Sequence, residues 1–184
     1  MAILNNSNAI SSGGYDINNS LRFRSSATAY LNRTPATASN QKTWTWSAWV
    51  KLGAISTNEQ LFSAGTNANG VFYDGVAGGF GIDGFYNGTR VQRYTTAVYR
   101  DPSAWYHMLF IYDSAQGTET DRNQFYLNGV KQTIEHTYDA MPQNFESEWN
   151  NTEEHYIGNL GSWNYEGYVA EVHFIDGLVK APAD

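Results

Sequence analysis

Residues 43–51 read Thr43-Trp44-Thr45-Trp46-Ser47-Ala48-Trp49-Val50-Lys51. Apolar and polar positions alternate along this stretch, so that Trp44, Trp46, Ala48 and Val50 fall on one side. A period of two is typical of a strand that turns one face toward a hydrophobic core. Because aromatic side chains bury large areas, this stretch predicts the strand on which a β-sheet core is built.

Strand-like segments continue on both sides of this stretch. The segment 105–113 has apolar side chains on both faces, which predicts a central strand. Asn128-Gly129 separates two apolar runs and predicts a tight hairpin. In the segment 168–175, alternation places four side chains on the inner face: Tyr168, Ala170, Val172 and Phe174. Other strands are expected at 21–24, 29–31, 60–64, 71–73, 90–94 and 156–158, with a short one among the turns of 78–84.

The chain has no helical periodicity of useful length and no internal repeat, so the sequence predicts an all-β fold. Its 184 residues suffice for one domain with a sizeable core, which we place at 21–184. Residues 1–20 are polar and contain Gly13-Gly14. They predict an extended N-terminal arm, which is either a tether to a neighbouring subunit or a partly ordered terminus.

Charge and cysteine content exclude several classes of partner and site. Eleven basic residues against eighteen acidic ones give a net charge of −7, and lysine and arginine form no run. A nucleic acid or an anionic membrane is therefore not an expected partner. Cysteine is absent, which excludes disulfides and cysteine-ligated zinc. The sequence also predicts no signal peptide and no membrane-spanning helix.

The ordered segments together resemble the concanavalin A-like superfamily, in particular its laminin-G and pentraxin-type domains. The segments that carry the resemblance are 44–51, Leu61-Phe62-Ser63, Trp105-Tyr106-His107 with Tyr112-Asp113, 125–130, Tyr156-Ile157-Gly158 and 167–172. They span about residues 20–177. The resemblance implies a two-sheet antiparallel jelly-roll sandwich.

A narrower resemblance links the chain to tail-fibre and other virion proteins of marine bacteriophages. It rests on Leu21-Arg22-Phe23, the stretch 29–35, the stretch 42–47 and Phe174-Ile175-Asp176-Gly177. Related proteins continue beyond that last motif, so this chain is either a compact version or part of a longer protein.

This second resemblance implies a non-enzymatic structural protein on the virion surface of a tailed phage, as a fibre, knob or decoration subunit. It also implies an arm docked onto other virion proteins, a homo-oligomer and contact with host surface glycans. The alternative is a free carbohydrate-binding module assisted by calcium.

Catalytic motifs are weak. Glycoside hydrolases of this fold carry Glu-x-Asp-x-x-Glu, whereas the nearest match here, 119–124, ends in Gln124 and lacks the acid. No histidine spacing indicates a transition-metal site. Glu171 and His173 are expected on a solvated strand face, and His107 on a sheet face. The sequence thus predicts no catalytic residues, no cofactor and no dedicated metal site.

A calcium ion is the one cofactor that the sequence leaves open. The loop 139–154 carries five acids, Asp139, Glu146, Glu148, Glu153 and Glu154, without a lysine or arginine to answer them. Carboxylates are calcium ligands, but the spacing matches no dedicated calcium loop. The alternative is a hydrated acidic loop.

Glycan binding needs an aromatic platform with amides or carboxylates nearby. The predicted contacts are Tyr86, Asn87, Trp149, Trp163 and Tyr165, all in loops by sequence. Alternatively, these rings cap the sandwich edges or lie in a subunit interface.

Overall fold

The strand at 43–52 runs through the middle of a six-stranded antiparallel sheet, termed sheet A. The structure is a computed structural model that describes residues 18–65, 69–86, 89–136 and 140–182. In spatial order sheet A contains β1 (Leu21–Phe23), β15 (Gly167–Asp176), β3 (Thr43–Leu52), β8 (Tyr106–Asp113), β9 (Asn123–Leu127) and β10 (Val130–Lys131). The predicted arm lies almost wholly in 1–17, outside the described residues.

A seven-stranded antiparallel sheet, termed sheet B, packs against sheet A. Its spatial order is β11 (Ile134–His136), β7 (Thr89–Thr95), β6 (Gly79–Tyr86), β5 (Gly70–Asp74), β4 (Glu59–Ala64), β12 (His155–Ile157) and β2 (Leu31–Arg33). A small hairpin consists of β13 (Asn159–Leu160) and β14 (Trp163–Asn164). The only helical turns among the described residues are two 3₁₀ turns, Ser25–Ala27 and Glu119–Asp121. The all-β jelly-roll sandwich predicted from the sequence is confirmed.

The core is built around the tryptophans of β3, as the alternation predicts. Trp44 and Trp46 are fully buried. The indole of Trp44 stacks on the ring of Tyr112 with centroids 4.9 Å apart, and its centroid lies 4.7 Å from that of Trp149. Trp149 comes from the long polar loop 139–154, so this acidic loop also contributes a buried aromatic side chain to the core.

The prediction that 105–113 forms a central strand is confirmed, since β8 lies between β3 and β9. Ile111 is buried although it faces away from the core. The segment after β15 covers part of this outer side of sheet A, where Thr45 Oγ1 donates a hydrogen bond of 2.8 Å to the carbonyl of Leu178. The Asn128-Gly129 turn also forms, with φ of 49° and 78°.

The predicted inner face of the last strand is half wrong. A β-bulge shifts the register between Ala170 and His173, and Glu171 adopts a φ of 49°. Because the bulge inserts a residue, the alternation changes phase. Val172 and Phe174 pack on the core as predicted, but Tyr168 and Ala170 face outward and Val169 takes the inner position.

No helix in the described part of the chain has the length and hydropathy needed to cross a membrane.

Candidate functional site

One side of sheet B faces away from the core. Val71, Tyr73, Phe80, Ile82 and Val91 belong to the core cluster, so the residues that alternate with them point outward. The outer face of sheet B comprises Gln60, Gly70, Phe72, Gly81, Asp83, Phe85, Arg90, Gln92 and Tyr94. Strand pairing places Gly70, Asp83 and Gln92 side by side across three strands.

Two glycines let large side chains lie flat on this face. A Cβ at Gly81 would come within 2.7 Å of the Phe72 ring and 2.5 Å of the carbonyl oxygen of Arg93. A Cβ at Gly70 would come within 1.9 Å of Oε1 of Gln60. The Phe72 ring and the Gln60 amide therefore occupy the space above the glycines, and both residues are buried on this outer side.

Asp83 is the electrostatic centre of the face. Its side chain is 3% exposed and accepts a hydrogen bond of 3.1 Å from Nε of Arg90, together with a second bond from the Nη2 atom. Nε2 of Gln92 donates to the same carboxylate at 3.3 Å. Burial raises the pKa of Asp83, and the hydrogen bonds and positive charge of Arg90 oppose that rise. The carboxylate thus fixes the orientation of two half-buried donor side chains.

The β13–β14 hairpin packs against β4 beside this face. Oγ of Ser63 donates a bond of 2.6 Å to the carbonyl of Asn159, and Ser63 is the cross-strand partner of Gly70. Nδ2 of Asn159 donates to Oδ1 of Asn164 at 2.6 Å, which closes the hairpin. Trp163 projects from it with 40% of its surface exposed. The hairpin that packs on β4 of sheet B therefore carries an accessible indole.

The family profile described as the concanavalin A-like lectin/glucanases superfamily, of laminin-G type, matches residues 23–182. The chain belongs to this superfamily. No curated protein matches the chain.

Several solved structures resemble this concanavalin A-like domain. A putative carbohydrate binding protein from Bacteroides ovatus superposes with a TM-score of 0.54 at 17% identity, over 79% of this chain and 40% of the other. Domains LG4-5 of the mouse laminin α1 chain superpose with a TM-score of 0.58 at 13% identity, over 89% of this chain and 43% of the other. The CBM40 of a Ruminococcus gnavus IT-sialidase, bound to α2,3 sialyllactose, superposes with a TM-score of 0.54 at 11% identity, over 83% of this chain and 94% of the other. The chain thus spans less than half the length of the first two, and these identities establish a common fold.

The five predicted glycan contacts of this concanavalin A-like domain differ in their exposure to solvent. Trp149 and Tyr165 are wrong as surface contacts, because both are fully buried. Trp149 packs on Trp44, and the hydroxyl of Tyr165 donates to the carbonyl of Lys51 at 2.8 Å. The side chain of Tyr86 and the whole of Asn87 lie outside the described residues. Trp163 is exposed, as a binding platform requires.

Sequence reasoning missed the polar row Gln60, Asp83, Arg90 and Gln92. The glycine-rich run 78–84 predicts turns around a short strand, whereas β6 extends over the eight residues Gly79–Tyr86. The usable signal is the alternation in β7, where Arg90 and Gln92 fall on the side opposite Val91. Pairing β6 with β7 places Asp83 beside them.

Two carboxylates of the acidic loop, those of Glu146 and Glu154, have side-chain partners that the sequence did not predict. Lys42 lies outside the loop and contacts Glu146 at 3.5 Å, which corrects the expectation that no base answers these acids. Glu154 accepts hydrogen bonds from Nδ2 of Asn32 and from the hydroxyl of Tyr156. Within the described ranges, no three acidic or histidine side chains converge as a metal site. Asp139 lies outside those ranges, and calcium stays a prediction.

The hydrolase-like stretch has a structural role at Glu119. Its carboxylate pairs with the buried Arg93 of sheet B and accepts a bond of 3.3 Å from the backbone N–H of Met141. Gln124 lies in β9, on the outside of sheet A. On the same side, His173 approaches Glu171 at 3.7 Å and is exposed, as the solvated-face prediction requires.

Proposed function

We propose that this chain is a non-catalytic carbohydrate-binding domain whose glycan lies on the outer face of sheet B. The observation that carries the proposal is the row of oriented hydrogen-bonding side chains on β6 and β7, in a sheet whose β4 packs against the hairpin that carries the exposed indole of Trp163. Sugar rings present an apolar face that packs on aromatic rings and hydroxyls that exchange hydrogen bonds with arginine and amide groups. The carbohydrate-binding relatives of the same fold support the proposal.

The two carboxylates on strands β5 and β6 of this face argue against glycoside hydrolysis. Hydrolysis requires two carboxyl groups that flank the scissile bond. Asp83 is bound by Arg90 and Gln92, and Asp74 accepts the backbone N–H groups of Val76 and Ala77 within its own turn. Neither carboxylate is placed to donate a proton or attack an anomeric carbon.

A glycan array followed by calorimetric titration tests the proposal. We expect at least one glycan to bind reversibly and Trp163→Ala to weaken that binding at least about tenfold, which is about 1.4 kcal/mol. Leu178→Ala is the matched control, because Leu178 is an exposed apolar residue whose carbonyl contacts sheet A instead. Absence of binding to any glycan, or equal binding by the Trp163 variant, contradicts the proposal.

Calcium and a virion location remain predictions from the sequence. Repeating the titration in calcium and in chelator tests the first, and loss of affinity in chelator is the expected outcome of the calcium-assisted alternative. None of the three relatives described above is a virion protein, so a virion role rests on the sequence resemblance alone. Deletion of residues 1–18 is expected to leave a folded sandwich that no longer joins a particle.

A further inference from the structure

The outer face of sheet B carries an excess of negative charge. Strands β4 to β7 contain two arginines, Arg90 and Arg93, and no lysine. Asp83 and Asp74 lie on the outer side of the same strands, and Glu135 of β11 pairs with the outward-facing Tyr94. Elsewhere in the loop after β7, Arg100 lies beside Gly78, near the start of β6. A negatively charged ligand therefore meets three carboxylates and one guanidinium on the described part of this face, which gives a net repulsion.

Neither arginine of these strands can serve a ligand carboxylate without losing a protein partner. Arg90 engages both oxygens of Asp83 through Nε and Nη2. Arg93 faces the core side, is 4% exposed and is paired with Glu119. Since a carboxylate is recognised best by a two-pronged guanidinium contact, the arrangement that an acidic sugar needs is already filled by Asp83.

The remaining polar groups match hydroxyls. Oε1 of Gln60 is fully buried, whereas Gln92 is half-buried, so the Gln92 side chain offers an amide that a ligand can reach. The Gln60 amide lies over Gly70, the cross-strand partner of Asp83, and Gln92 follows on the next strand. A ligand hydroxyl can both donate to an amide oxygen and accept from an amide N–H.

We infer that the outer face of sheet B selects neutral sugars and rejects uronic or sialic acids. The inference rests on the proposed function, and it assigns the class of sugar to the same site. It separates this chain from the Ruminococcus gnavus CBM40 of similar fold that binds sialyllactose.

The test compares matched glycans on the intact chain. Lactose with 3′-sialyllactose, and oligogalactosides with oligogalacturonides, are titrated by calorimetry. We expect the neutral member of any bound pair to bind at least about tenfold more tightly, since like charges oppose the acidic one. Neutral-glycan affinity should also stay constant between about 0.05 and about 0.5 M salt, because no ligand charge is screened.

Asp83→Asn provides a gain-of-function arm. The substitution is isosteric and releases Arg90 from an ionic partner. The ratio of the affinities for the neutral and the acidic glycan of a pair should therefore fall about tenfold. If this variant unfolds in a thermal melt, the salt dependence and pairwise preference of the wild type decide the matter. Tighter binding of the acidic members, with Trp163→Ala still harmful, overturns the inference and leaves the proposed function intact. Absence of binding to every glycan overturns both.

Discussion

Arg90 and Asp83 form a two-pronged ion pair on the outer face of sheet B, with the carboxylate buried and the guanidinium partly exposed. The pair lies at the centre of the proposed glycan site, so it affects both stability and recognition. Its two partners come from adjacent strands, and its geometry therefore depends on the β6–β7 register.

Removing the guanidinium should destabilise the fold in a pH-dependent way. Arg90→Ala leaves the Asp83 carboxylate buried with Gln92 as its remaining side-chain donor, and we expect a loss of about 1–3 kcal/mol at neutral pH. Because the pKa of Asp83 is already raised by burial and the variant loses the opposing charge, Asp83 protonates more readily and the deficit should shrink as the pH falls. Urea unfolding between acid and neutral pH measures it, with Lys131→Ala on sheet A as the control. A pH-independent deficit contradicts this reasoning.

Glu59 predicts a loss of stability at alkaline pH. Its side chain is buried, Oε2 has no partner among the described residues, and burial raises its pKa to about 8. The folded state therefore holds the proton more tightly than the unfolded state. The stabilisation is complete below the unfolded pKa of about 4.5 and is lost progressively up to about pH 8. Glu59→Gln should consequently gain stability relative to wild type as the pH rises through this window.

Thermal melts of Glu59→Gln and of the exposed Glu135→Gln, measured from about pH 4 to about pH 9, test this prediction. The difference between Glu59→Gln and wild type should grow with pH, whereas Glu135→Gln should follow wild type. Parallel curves for all three proteins would show that Glu59 titrates normally.

The glycine beneath Phe72 should resist substitution. Gly81→Ala places a methyl group against the Phe72 ring and the Arg93 carbonyl, and the backbone cannot move without disturbing the ladder. Such overpacking costs about 1–3 kcal/mol. Gly117→Ala is the control, because nothing lies within 4 Å of its added Cβ, and it should be neutral or stabilising. Equal midpoints in guanidinium unfolding would show that the face can adapt.

The two tryptophans predicted from sequence as glycan contacts should behave oppositely. Trp149→Ala removes a fully buried ring that packs on Trp44 and should cost about 3–5 kcal/mol of unfolding free energy. Trp163→Ala removes an exposed ring and should change stability by less than about 1 kcal/mol. Denaturant unfolding distinguishes them. A large loss for Trp163→Ala would place that ring in the core and remove it from the proposed site.

Local pattern predicted most of the strands but not the site. The alternation in β3 and the Asn128-Gly129 turn are properties of neighbouring residues, so both were predictable. The bulge was not, because Glu171 adopts a left-handed φ that a glutamate rarely takes. Trp149 looked exposed because its neighbours in the sequence are polar, yet it enters the core through contacts distant along the chain.

The charge pair of the site shows the same limit. Asp83 lies in a glycine-rich run typical of turns, and Arg90 lies close enough to bind it only when β6 and β7 pair. Long-range pairing of this kind decides which polar residues share a face, and composition alone does not contain it.

Backbone amide NMR of the labelled chain, titrated with the best glycan from the array, tests the central claim most directly. We predict shift changes concentrated in β5 to β7 and in the 159–164 hairpin, with the indole N–H of Trp163 among the largest. Changes confined to the outer side of sheet A, around Trp49 and Tyr168, would place the glycan on the opposite sheet and contradict the account.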